Sequence, residues 1–334
     1  MNDEHRIRRL PILILNPYSL CNCRCVMCDI WKIRTIDAIN ASDLRKQVRD
    51  IEALGVQWLV LSGGEPLMHP ELSRLIDVLR KTGIRISILT SGMLLESNAS
   101  VVAQNVDDLI VSLDGPQQIH DRIRGVPGAF EQLTRGVRAV RRLKPGFPVG
   151  ARCTVQRGNY SQLREVVKTA RRMDLQSVSF LAADLISQAF NRPRGWTASR
   201  KAQVALTAEE TRELEDEIEK LIDELDTFEG FVLENPQKLR RIVLHFRAHL
   251  GLAEPVAPNC NAPWVSAAID SDGTVRPCFF HGAIGNIRKQ SLTDILNSDQ
   301  AFEFRRTLDI AGDPVCRRCV CSLHLPDNSK AIGI

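Results

Sequence analysis

The sequence predicts an α/β fold built on a mainly parallel sheet, and three observations carry that prediction. Short apolar runs of strand length alternate with amphipathic stretches of helix length. The alternation recurs six times across residues 12–182. Successive apolar runs are also separated by enough chain for a helical crossover, which neighbouring parallel strands require.

The elements follow in order. Pro11 to Asn16 is apolar and bounded by Pro17, which suits a buried strand. Ala41 to Leu54 has helical spacing, Trp58 to Leu61 reads as a strand, and Ser62 to Pro66 as a tight turn. Pro70 to Lys81 is the next helix and Arg85 to Thr90 the next strand, followed by a helix at Ser97 to Gln104 and a strand at Leu109 to Leu113. Ala129 to Arg142 then feeds a strand at Val149 to Val155, and Tyr160 to Met173 feeds one at Ser177 to Leu181. This rhythm fits an open sheet and a barrel equally. Past residue 182 it stops: Thr207 to Asp226 is a long charged helix whose Thr207 and Glu210 form a capping box, and Pro236 to Leu250 is another helix. A hairpin is expected at Val265 to Pro277, turning at Ser271, Asp272 and Gly273.

The bulk properties narrow the function. A formal charge of +4 over 334 residues is too mild for a nucleic-acid binder, and no run approaches twenty apolar residues, so no membrane span is expected. The charged start, Met1 to Arg9, precedes only a short apolar run and no cleavage site, which makes the cytoplasm the expected compartment. Cysteines are ligands or buried thiols there rather than disulfides. Four of the ten lie between Cys21 and Cys28 and five between Cys260 and Cys321, while Cys153 stands alone and should be a buried small hydrophobe.

Cys21, Cys25 and Cys28 are spaced C-x3-C-x2-C. Three thiolates on one short loop can each reach a different iron of a cubane and leave one iron open. Cys23 admits two other readings, a closed four-ligand site and incidental buried thiols. After the second expected strand stands Ser62-Gly63-Gly64-Glu65-Pro66, where the glycines permit close backbone approach and Glu65 offers a carboxylate to an ammonium or caps the turn.

Cys21-Asn22-Cys23-Arg24-Cys25-Val26-Met27-Cys28 resembles the signature loop of the radical S-adenosylmethionine (radical SAM) enzymes, and Gly63-Gly64-Glu65 joins the match. The resemblance implies a partial (β/α)6 barrel of TIM-like architecture over residues 12–182, preceded by an extension, 1–11. It implies a [4Fe-4S] cluster on Cys21, Cys25 and Cys28, with Cys23 a non-ligand, whose open iron binds S-adenosylmethionine near Gly63, Gly64 and Glu65. It further marks Ser112, Asp114, Arg124, Arg152, Thr154 and Asn159 as cofactor-pocket candidates, with loop capping and ordinary salt bridges as competing roles. The implied chemistry is reductive cleavage of S-adenosylmethionine to methionine and a 5'-deoxyadenosyl radical, fed by an external one-electron reductant such as flavodoxin or ferredoxin.

Cys260, Cys278, Cys316 and Cys319 make a normal four-ligand set, with zinc and iron–sulfur equally served by the spacing. The run from Cys260 through Gly273 to Cys278, continued by His281 to Ile287, resembles the auxiliary-cluster domains called SPASM and twitch. Five cysteines rather than seven imply one auxiliary [4Fe-4S] cluster, with Cys321 an alternative to Cys319, in a small hairpin-plus-helix domain over 258–334. Residues 183–257 form a substrate-loop and helical linker region in which Asp184, Asn191 and Arg192, together with His281, are substrate candidates. The expected reaction is hydrogen abstraction from a small polar substrate, possibly phosphorylated or a sugar, leading to oxidation or rearrangement. Epimerization, peptide maturation, simple electron transfer and a zinc-stabilised binding role are the alternatives.

Overall fold

A computed structural model describes residues 5–326 of the chain; the outermost parts of the expected extension and C-terminal domain, 1–4 and 327–334, lie outside them. Six strands run parallel in sequence order: β1 Ile12–Leu15, β2 Trp58–Leu61, β3 Arg85–Thr90, β4 Asp108–Ser112, β5 Val149–Val155 and β6 Ser177–Ala182. Between them lie α1 Ala41–Ala53, α2 Leu72–Arg80, α3 Leu95–Asn105, α4 Gln117–Arg124, α5 Ala129–Leu143 and α6 Leu163–Arg172. β6 and β1 do not pair, so the barrel stays open.

Alternation decides which residues face inward. In β5, Val149, Ala151, Cys153 and Val155 are buried in the core beneath the helices, while Gly150, Arg152 and Thr154 are half-buried on the inner face. Helix ends obey local chemistry: Asn40 accepts from the Ser42 and Asp43 N–H groups to cap α1, with Asp43 returning the bond.

Beyond the six units come α7 Ala198–Lys201, α8 Ala208–Asp223, α9 Pro236–His249 and α10 Ala262–Val265. The expected capping box of Thr207 and Glu210 opens α8. The segment before α9 bridges the free edge of β6, Val178 to Val232, and Glu234 accepts the Phe180 N–H at 2.9 Å. The edge is thereby covered, as exposed edges need to be.

The expected hairpin forms as β7 Ser266–Ile269 and β8 Thr274–Arg276, with a two-residue β9 at Gly285–Asn286. It does not stand apart. β7 pairs in parallel with β1, giving one nine-stranded sheet in the order β6-β5-β4-β3-β2-β1-β7-β8-β9. The open barrel leaves one edge of the apolar β1 unpaired, and β7 satisfies it. The chain closes with α11 Leu292–Leu296, α12 Asp299–Thr307 and α13 Pro314–Arg317. No helix among the described residues is long and apolar enough to cross a membrane.

Candidate metal centres

The loop after β1 carries the first cysteines over the strand ends. It is pinned by backbone bonds from Arg24 N–H to the Arg124 carbonyl and from Val26 N–H to that of Ile123, at 2.8 and 3.0 Å. Cys23 and Cys25 are buried against Met93 and Ala129, with Cys21 and Cys28 packed alongside. Cys23 sits within hydrogen-bond reach of the Cys21 and Cys25 side chains; its bond to Cys21, together with burial, pushes its thiol up to about 12. Burial does the same to Cys28.

Gly63 and Gly64 serve the loop by their size. A Cβ on Gly64 would lie 2.2 Å from the Leu20 carbonyl oxygen, and one on Gly63 2.7 Å from the Asn16 Cβ. Glu65 takes the capping role that the sequence offered as one of its two readings. Its carboxylate is buried and accepts from the Leu67 N–H and Thr90 hydroxyl on one oxygen, and from the Ser91 N–H and hydroxyl on the other. With its acceptor sites so filled, it pegs the ends of β2 and β3 together instead of offering a free carboxylate to a ligand's ammonium. Sequence reasoning missed Thr90 and Ser91. Their signal, a Thr-Ser-Gly turn at the end of β3, is too common to single out.

Asp114 and Arg124, expected at the cofactor, are bonded to each other at 2.6 Å and buried. Asn159 is buried too, donating to the Asp114 and Thr154 carbonyls, so it splices the loops after β4 and β5. Ser112 and Arg152 are neighbours across β4 and β5 on the inner face, with Thr154 one step further along. Arg152 Nε donates to Ser179 Oγ at 3.2 Å, and no carboxylate of the described residues ion-pairs with it.

The substrate candidates after β6 are all bonded within the protein. Asp184 accepts from the Ile186 and Ser187 N–H groups and from Arg192, which is itself buried and stacked 4.2 Å from the Trp196 ring centroid. The pair spends its charge bracing the loop. Asn191 donates to the Asp29 carbonyl at 3.0 Å, and Trp196 Nε1 to the Asp29 carboxylate at 2.6 Å, which ties this loop to the residue following Cys28. Phe190 on the same loop packs on Phe279 and Phe280, beside Cys278, with centroids at 5.1 and 6.2 Å. A half-exposed aromatic cluster therefore joins the first cysteine loop to the second cysteine region.

In that region the thiols influence one another. Burial raises Cys278 to about 11 and Cys316 to about 12, while a shared hydrogen bond drives Cys319 up and Cys321 down. The Cys321 thiol also lies close enough to Arg152 and Asp184 for their charges to act on it, Arg152 lowering its pKa and Asp184 raising it. His281, expected at substrate, instead places Nε2 3.4 Å from Cys316 Sγ and 3.9 Å from Asp313, with its ring edge-on to Phe304. Burial lowers its pKa, against a smaller opposing pull from Asp313.

Both sets suit iron–sulfur ligation by the chemistry of their donors. All ten cysteines are free. N–H groups point at several of the sulfurs, as thiolates require: Ile30 at Cys28, Ala262 at Cys260 and Arg124 at Cys25. Binding iron would remove the protons that burial holds on these thiols.

An open parallel barrel with a cysteine loop after its first strand, and further cysteines on a hairpin added to the same sheet, defines the class. Residues 15–170 match the Radical SAM superfamily and residues 260–320 the SPASM iron–sulfur cluster-binding domain. The chain belongs to the radical SAM superfamily and carries a SPASM segment; its cofactors are [4Fe-4S] clusters and S-adenosylmethionine. It is 24% identical to the Fe-coproporphyrin III synthase of Methanosarcina barkeri, over 96% of this chain and 84% of that one. It is 35% identical to the pre-heme d1 synthase of Dinoroseobacter shibae, over 47% and 40% of the respective chains. In fold it resembles Streptococcus suis SuiB bound to S-adenosylmethionine, with a TM-score of 0.69 at 16% identity, covering 96% of this chain and 75% of that one.

Proposed function

We propose that this protein removes a hydrogen atom from a small, carboxylate-bearing molecule held on the inner face of the barrel, and that the product is oxidised or rearranged. When bound, the cluster on Cys21, Cys25 and Cys28 and S-adenosylmethionine supply the 5'-deoxyadenosyl radical, with an auxiliary cluster on Cys260, Cys278, Cys316 and either Cys319 or Cys321 as a second redox centre. An external one-electron reductant completes the system.

The observation that carries the substrate class is Arg152. Arg152 makes no ion pair within 4 Å, Glu234 acting on it only from further off, and its guanidinium fork matches two carboxylate oxygens, so it is suited to receive a carboxylate. Two further features support it. Arg241, His245, His249, Arg317, Arg318 and Cys319 line a groove beside the auxiliary cysteines with no carboxylate in its wall. Phe190, Phe279 and Phe280 offer an apolar face to a flat ligand and shield the site from water. Carboxylated tetrapyrroles are the first molecules to try, because the relatives named above include an Fe-coproporphyrin III synthase and a pre-heme d1 synthase.

The test is release of 5'-deoxyadenosine by the reconstituted, dithionite-reduced holoprotein with coproporphyrin III, its iron complex and a set of other carboxylated molecules. Stimulation by one of these, largely lost in Arg152→Met, is the expected result. Stimulation by peptides alone would overturn the small-molecule reading.

A further inference from the structure

Cys25 has a buried, charged neighbour in Arg124. Arg124, in the last turn of α4, aims Nη1 at Cys25 Sγ across 3.7 Å while Nε holds Asp114 Oδ2 at 2.6 Å. Asp114 is wholly buried and Arg124 only 8% exposed. The remaining Asp114 oxygen accepts the Thr154 N–H at 3.3 Å, so the carboxylate is held from β5 and α4, and His120 Nδ1 accepts the Asp114 backbone N–H at 3.3 Å. Burying such a pair costs several kcal/mol per ion before attraction offsets it, and an apolar pair of similar volume often packs as well. What an apolar pair could not do is point an N–H at a sulfur.

We propose that the Arg124–Asp114 pair sets the reduction potential of the cluster bound through Cys25, Arg124 favouring the reduced state and Asp114 limiting that preference. This rests on the ligand reading of Cys21, Cys25 and Cys28. Reduction adds one electron to a cluster whose thiolates already carry negative charge. A guanidinium donating to one sulfur stabilises that added charge, and hydrogen bonds to ligand sulfurs are an established lever on cluster potentials. Asp114 holds the guanidinium in place and, as an anion in the same low-dielectric region, opposes it. Arg124 is thus a positioning residue acting through Cys25.

The two substitutions have opposite expected signs, which general damage does not produce. In the anaerobically reconstituted holoprotein, poised with redox mediators, the EPR signal of the reduced cluster that changes on adding S-adenosylmethionine reports the first site. At a fixed potential, Arg124→Met should lower its reduced-to-oxidised ratio by about tenfold or more, Arg124→Lys by less, and Asp114→Asn should raise it. Iron content checks loading. If Arg124→Met holds no iron, Arg124→Lys against Asp114→Asn decides. Unchanged potentials, or shifts in the same direction, overturn the proposal. A wild-type protein without an S-adenosylmethionine-responsive signal overturns the ligand reading instead.

Discussion

Cys21 and Cys23 lie two residues apart and in contact, yet their surroundings differ. Cys23 is 2% exposed, enclosed by Cys25, Met93 and Ala129, whereas Cys21 is only partly buried at the edge of that cluster. Cys25 is buried beside Cys23, so burial does not separate those two; the motif resemblance is what sets Cys23 apart as a non-ligand. Cys21→Ala should therefore abolish reductive cleavage of S-adenosylmethionine, while Cys23→Ala should cost about 1 kcal/mol of packing and leave cleavage measurable by 5'-deoxyadenosine release. Equal loss in both would place Cys23 among the ligands. At this scale the motif spacing was readable from the sequence, but the use of individual side chains was not. Glu65, Asp184 and Arg192 looked like polar groups awaiting a ligand. Each is occupied by partners that only the fold supplies, Glu65 by Thr90 and Ser91 and Asp184 by Arg192.

Among the elements, β2, β3 and β5 fall where the sequence placed them, because apolar residues recur on the face each strand packs beneath the helices and turn residues bound the run. α4 escaped because Gln117–Arg124 is short and mostly polar, with a helical identity that comes from packing against α5 and the cysteine loop. The pairing of β7 with β1 escaped for a different reason. No local pattern specifies a partner some 250 residues away, and Ser-Ala-Ala-Ile carries little strand signal. That pairing yields a prediction about the hairpin. If β7 is held by the sheet rather than by metal, replacing Cys260 and Cys278 by alanine should leave the amides of Ala267 and Ala268 protected from hydrogen exchange while residues 314–321 exchange faster. Rapid exchange in β7 would show that the metal site holds the hairpin in place.

For the molecule as a whole, two cysteine centres share one sheet and one aromatic bridge. The Asp29 contacts of Asn191 and Trp196 lead from the first centre, and Phe190, Phe279 and Phe280 lead on to the second. Two four-iron clusters predict about eight irons per chain after anaerobic reconstitution, falling to about four in the Cys260→Ala, Cys278→Ala double variant. A wild-type content near four would remove the auxiliary cluster. The open barrel itself was expected from the motif resemblance, since the strand rhythm alone was equally compatible with a flat sheet.

The place of β1 within the sheet also bears on how the chain is made. Ile12 to Leu15 leave the ribosome shortly before Trp58 to Leu61, and the pairing of these two strands becomes available once both have emerged. Their other edge waits for Ser266 to Ile269. Until those residues emerge, therefore, a fully apolar central strand presents an unpaired edge, the kind of surface on which nascent chains aggregate. Arrest or truncation of translation ahead of residue 266 would release a product with its iron-binding loop complete and that edge permanently exposed.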